Sequence, residues 1–171
     1  KELVEIDLLC APGQSQDAVL AQLIDVAEDR RDCFAILDPP FGLSVQQVAD
    51  WHNGVAPYNG HSSLNSSYAT VFYPWVEIFD PNNSVNVWTA PSGHVAAITA
   101  FSDSESDPWI PIAGLKRGKI PAALRLELNL TQGQRDFLLG NLNRVNTFVN
   151  FAKNGPTLFS QRTLYRVSSK L

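Results

Sequence analysis

Methionine is absent from these 171 residues, and cysteine occurs only twice. Two thiols are too few for a disulfide framework. Cys10 and Cys33 both lie in apolar runs, so both are expected as buried strand thiols in a reducing compartment. Charge is scarce as well. Charged residues make up 18% of the chain, against about 25% in ordinary globular proteins. That deficit implies that part of the surface meets other protein rather than water. The 44% share of hydrophobic residues excludes a disordered chain. No apolar run approaches the ~20 residues of a membrane span. The first residues lack the basic, apolar and small-residue order of a secretory signal. The net charge is −4 and no basic stripe is present, so neither nucleic acid nor membrane insertion is expected. A chain opening on Lys1 reads as a segment of a longer protein. Its last residues, Ser169-Lys170-Leu171, spell a peroxisomal address that is read as an accident of truncation.

Catalytic patterns are missing too. His52, His61 and His94 stand at no metal-binding spacing, so no metal site is expected. Ser92-Gly93-His94 lacks the Gly-x-Ser-x-Gly of a nucleophile elbow, and Ser92 reads more simply as a helix cap. Ala11-Pro12-Gly13-Gln14-Ser15 follows a strand, where nucleotide-binding loops occur. It has one glycine and no Gly-Lys-Ser/Thr, so it reads as a plain connection and no cofactor is expected. Asp38 precedes Pro39-Pro40 and reads as a turn residue. A small α/β enzyme or ligand-binding domain remains the alternative, and it requires Asp38, Ser92 and His94 to converge. A binding module built on Tyr68, Phe72, Tyr73 and Trp75 would need a positive groove. No basic residue occurs between Leu64 and Trp88. Three Asn-x-Ser/Thr sites, at Asn65, Asn82 and Asn129, matter only in a secreted chain.

The elements themselves are legible. Val4–Cys10 reads as a strand and Ser15 as the cap of a helix to about Asp29. Val19, Leu20, Leu23, Val26 and Ala27 share one face of that helix. Cys33–Leu37 reads as a buried strand, and Ser44 as the cap of a second helix through Trp51. The strand–helix–strand–helix start favours parallel pairing. Residues 53–67 read as a loop. Tyr68–Phe79 reads as a strand with a bulge or edge at Pro74. A turn at Asp80-Pro81-Asn82-Asn83 leads into Val85–Thr89, and a helix follows from Ser92 to Phe101. Residues 102–121 read as a loop. Leu124, Leu126, Leu128 and Leu130 alternate with polar residues, the clearest strand pattern in the chain. Thr131-Gln132-Gly133-Gln134 fits a capping box for a helix to Asn141. Thr147–Phe151 and Thr157–Val167 read as strands joined by a turn at Lys153–Pro156. The expectation is an α/β (α+β) fold: one domain over 1–171, with a mixed sheet and about four helices.

Four stretches carry a family resemblance. They are Tyr73-Pro74-Trp75-Val76 with Val87-Trp88; Ala90–Ala97 with its Pro91-Ser92-Gly93 start; Pro108–Gly118; and Leu124–Leu164. Their order and spacing resemble the contractile tail sheath proteins of bacteriophages, most strongly over 67–164. The motif positions are Pro91, Ser92, Gly93, Trp109, Ala113, Gly114, Arg117, Gly118, Asn146, Gly155, Arg162, Thr163 and Leu164. Three departures mark a divergent member. An arginine usual after the Pro-Ser-Gly helix is missing at Ala100-Phe101-Ser102-Asp103. Phe159-Ser160 replaces Trp-Gly, and one extra residue lies within Pro111–Gly114.

The resemblance implies a mechanical role rather than an enzyme. Sheath subunits form a helical homo-oligomer around a tail tube and contract to drive the tube through the host envelope. The implied partners are further copies of the chain, the tail tube protein, and the baseplate and tail terminator proteins. The implied location is the virion tail, after assembly in the host cytoplasm. Subunits of that family are linked by swapped terminal strands. A segment without those arms is therefore expected to be monomeric. Asp103, Glu105 and Asp107, facing Lys116, Arg117, Arg125, Arg162 and Arg166, are the candidate intersubunit ion pairs. Gly93, Gly114 and Gly118 are expected to serve the backbone.

Overall fold

The computed structural model describes residues 5–58, 60–107 and 110–166. The described residues form four helices and eight strands. In order they are β1 (Leu8–Cys10), α1 (Asp17–Arg30), β2 (Phe34–Leu37), α2 (Val45–Asn53), β3 (Ala69–Tyr73), β4 (Val76–Asp80) and β5 (Val85–Thr89). Then follow α3 (Pro91–Glu105), β6 (Ala123–Leu126), α4 (Gln132–Leu139), β7 (Asn146–Phe151) and β8 (Gly155–Leu158).

The strands make two sheets rather than the one expected. The larger has the order β1-β2-β3-β7-β8, parallel except for β8. The smaller is antiparallel, β5-β4-β6. The predicted strand Tyr68–Phe79 is cut at Pro74, which has no N–H to continue a ladder. Its first half becomes the centre of the large sheet and its second half the centre of the small one.

Strand alternation sorts the side chains to two cores. Ala35, Leu37, Val71, Tyr73 and Val145 face Leu20, Val48, Trp51 and Leu138 of α1, α2 and α4. Ile36, Phe72 and Phe148 face Val95 and Ile98 of α3, together with Val76 and Leu126 of the small sheet.

Ser44 caps α2 and Thr131 caps α4 with a capping box, as expected, and Ser44 too forms a full capping box, with Gln47. The cap of α1 is Gln16 rather than Ser15, and it makes no side-chain bond. Leu20 and Ala27 point inward, with Leu23 and Ile24 packed beside them. Val26 points out, 45% exposed. Cys33 is buried, but Cys10 is exposed. Helix α3 begins at Pro91, one residue before the expected cap, and runs on to Glu105, through residues expected as loop.

The leucine alternation yields only four strand residues. Leu126 and Leu130 are buried, while Leu124 and Leu128 are exposed. The pattern breaks at Glu127, whose carboxylate leaves the strand to accept the Gly42 and Trp75 N–H groups. The last strand stops at Leu158. Residues 161–164 cross the start of β3 instead, where Leu164 N–H donates to the Ala69 carbonyl. The ends of the predicted first and last strands, at Val4 and Val167, lie outside the described residues.

Candidate functional site

Asp38 stands at the C-terminal end of β2 and is 2% exposed. Its Oδ1 accepts the Ser92 N–H at 2.8 Å. Its Oδ2 accepts the Ser92 hydroxyl at 2.6 Å and the Gly13 N–H at 3.1 Å. Burial pushes the carboxyl upward, against the pull of these three donors. The group that caps α3 is therefore Asp38, 54 residues away, and the cap expected of Ser92 is corrected. One carboxylate fastens the β1–α1 loop and the start of α3 to the end of β2.

The convergence that an enzyme requires is half present. Asp38 meets Ser92, but His94 does not join them. Its Nε2 lies 2.8 Å from Thr89 Oγ1. That hydroxyl already donates to the Val76 carbonyl, so the imidazole is the donor. Burial lowers the His94 pKa. Ser92 is fully buried and its hydroxyl donates a hydrogen bond to the Asp38 carboxylate. A serine nucleophile of the Ser–His type needs a histidine beside it and an open approach, and Ser92 has neither. Among the described residues, no His, Cys, Asp and Glu side chains cluster as metal ligands. No helix among them is long and apolar enough to cross a membrane.

The motif positions fall in two groups around the large sheet. The first lies at the start of β3 and β7. Asn146 Nδ2 donates to Thr70 Oγ1 and to the Arg162 carbonyl, both at 2.7 Å. Its Oδ1 accepts the Arg162 N–H at 2.7 Å, and Thr70 Oγ1 donates to the Arg162 carbonyl at 2.8 Å. The Arg162 guanidinium reaches the Leu139 carbonyl at the end of α4. Thr163 is half-buried and Leu164 is fully buried. This run is a clasp across two central strands.

The second group folds against β8. Gly114 N–H donates to the Leu158 carbonyl, and Leu158 N–H donates to the Gly118 carbonyl. Ala113 N–H donates to Gln161 Oε1. Gly114 holds φ +112°, a conformation that suits glycine. A Cβ on Gly118 would lie 2.7 Å from the Leu158 carbonyl oxygen. Gly93 has helical backbone and open space, so no backbone requirement is visible there. Gly155 opens β8 at positive φ. Trp109 lies outside the described residues.

The candidate intersubunit charges are partly engaged within the chain. Arg125 forms a two-pronged pair with Glu77 and lies 5.3 Å above the Trp88 ring. That pairing holds the Glu77 carboxyl below its usual range. Arg166 donates to Asn53 and stands 3.4 Å from His52 Nε2. Arg117 donates to Ser106 Oγ at 2.8 Å. Asp103, on α3, shares a cavity of about 370 Å³ with Arg162 and Gln161. Glu105, Asp107 and Lys116 are exposed. Sequence reading missed Thr70, Glu77 and Glu127. The first and third act over at least 52 residues of chain, and no local pattern marks them.

Solved structures share this fold. The sheath complex of an extracellular contractile injection system (PVC), in its contracted state, matches with a TM-score of 0.74 at 21% identity. The match covers 97% of this chain and 42% of that one. A chain in the baseplate of the anti-feeding prophage matches at 0.70 and 21% identity, over 97% of this chain and 40% of its own. Together they show the fold, an α/β domain with this element order. The chain belongs to the phage tail sheath protein central domain family, whose profile matches residues 2–164. The tail sheath protein of Vibrio phage KVP40 is 29% identical over 84% of this chain. That of Enterobacteria phage T4 is 26% identical over 99% of it. The chain spans only 23% and 28% of those relatives.

Proposed function

We propose that this chain is the central domain of a contractile sheath subunit, a structural part rather than an enzyme. Copies stack helically around a tail tube in the virion, and their rearrangement drives the tube through the host envelope. Assembly takes place in the host cytoplasm. The tube protein, the baseplate and the tail terminator are its other partners. One observation carries the reading: the family profile runs through nearly the whole chain, 2–164. The physical state of the motif residues agrees with it. Asn146, Arg162, Leu164, Gly114 and Gly118 are all used to brace the sheet. A contracting assembly needs units that repack against neighbours without unfolding. The enzyme alternative loses its basis with the burial of Ser92 and the turning away of His94.

Negative-stain electron microscopy of the overexpressed full-length protein tests this. Hollow tubes with stacked-ring striations are the expected result. Dispersed full-length particles at high concentration would overturn the reading.

A further inference from the structure

Charge is segregated along this chain. Residues 1–107 hold 15 acidic and 3 basic side chains, and residues 108–171 hold 2 and 10. The fold turns that asymmetry into two separate surfaces. Helix α1 packs on β1 and β2, at one edge of the large sheet. Its outward face, at three- and four-residue spacing, carries Gln22, Asp25, Val26 and Asp29, all exposed. Val26 is thus an apolar point among carboxylates. At the opposite edge, Lys119 bridges Thr157 of β8. The segment 116–122 and α3, which packs on β1, β2 and β3, enclose a groove of about 580 Å³. Ile98, Phe101 and Pro121 give it an apolar lining. Lys116, Arg117 and Lys119 supply the charge, and no carboxylate lines it. Phe101 is 59% exposed. Lys116 and Lys119 make no ion pair among the described residues.

We propose that the outward face of α1 in one copy docks into the α3/116–122 groove of the next copy. The occupant is a second copy because the acidic helix with its apolar point matches the basic, apolar-lined groove in both sign and form. This is a helix-in-groove contact. The two surfaces lie on opposite faces of the large sheet, since α1 packs on the Leu37 and Val71 side and α3 on the Ile36 and Phe72 side. The contact is therefore head-to-tail, and such contacts propagate into rings or helices. The inference rests on the sheath reading and supplies it with a contact. It moves the acidic partner from the end of α3 to α1.

Charge reversal in the full-length protein tests it, with tube yield read by sedimentation and electron microscopy. One variant carries Lys116→Glu and Lys119→Glu, and a second carries Asp25→Lys and Asp29→Lys. Each alone should lose tubes, by roughly tenfold or more, since each then faces like charge. Mixing the two, or combining all four changes in one chain, should restore them. That restoration also shows that the substituted chains fold. If either variant assembles as the unmodified protein does, the interface is wrong and the sheath reading stands. If neither combination restores assembly, the pairing is wrong. If the unmodified protein forms no tubes, both readings fall together.

Discussion

Ser92 sits in the first turn of a helix and yet caps nothing. Both its donors go to Asp38, whose two oxygens also hold Gly13. Removing the carboxylate with Asp38→Ala strands three donors at once. Each buried orphan costs about 1–3 kcal/mol, so a loss of about 3 kcal/mol or more is expected in urea unfolding. Ser92→Ala removes one bond and leaves two, and should cost about 1–2 kcal/mol. Equal losses from the two substitutions would show that the carboxylate is not the hub. His52 gives a second test at this scale. Burial, Arg166 and His61 lower its pKa to about 3 from 6.5. Between those values the unfolded chain holds the extra proton, so stability rises with pH. The contribution is complete above pH 6.5 and is lost as pH falls towards 3, at up to about 1.4 kcal/mol per pH unit. His52→Gln should flatten that slope. Parallel stability curves for the two proteins between pH 4 and 7 would refute the assignment.

At the scale of elements, Gly118 and Gly93 should part company. Gly118→Ala forces a methyl against the Leu158 and Gly114 carbonyls, so β8 must shift, and a melting temperature several degrees lower is expected. Gly93→Ala meets open space within α3 and should stabilise by up to about 1 kcal/mol through helix propensity. A destabilised Gly93→Ala would mean that the position does something the domain alone does not reveal. The same contrast explains what could be read in advance. The cap at Ser44 and the capping box at Thr131 were legible because their partners lie within three residues. The cap of α3 was not, because its acceptor is 54 residues away and no local pattern encodes that distance. Val26 was assigned inward because periodicity alone does not separate it from Ile24. The leucine alternation overstated a strand because it could not register that Glu127 serves Gly42 and Trp75.

At the scale of the whole molecule, composition and fold carried different parts of the reading. The low charge fraction pointed to surface meant for protein, and the motifs pointed to a family. A net charge of −4 concealed the stronger signal, the separation of acidic from basic halves. Only the fold shows that the surfaces they supply emerge on opposite faces of one sheet.

The strand order also bears on how the chain reaches its fold. Phe72 pairs with Asn146, so the centre of the large sheet joins residues 74 apart in sequence. Closing so long a loop must precede the contacts that reward it, which makes folding slow, on the order of milliseconds to seconds. During synthesis, β3 waits with one edge open until residues 146–151 have left the ribosome. Single-mixing refolding should therefore be limited by the β3–β7 closure. Substitutions that weaken the Asn146–Thr70–Arg162 clasp should slow it more than loss of the Ser44 or Thr131 cap.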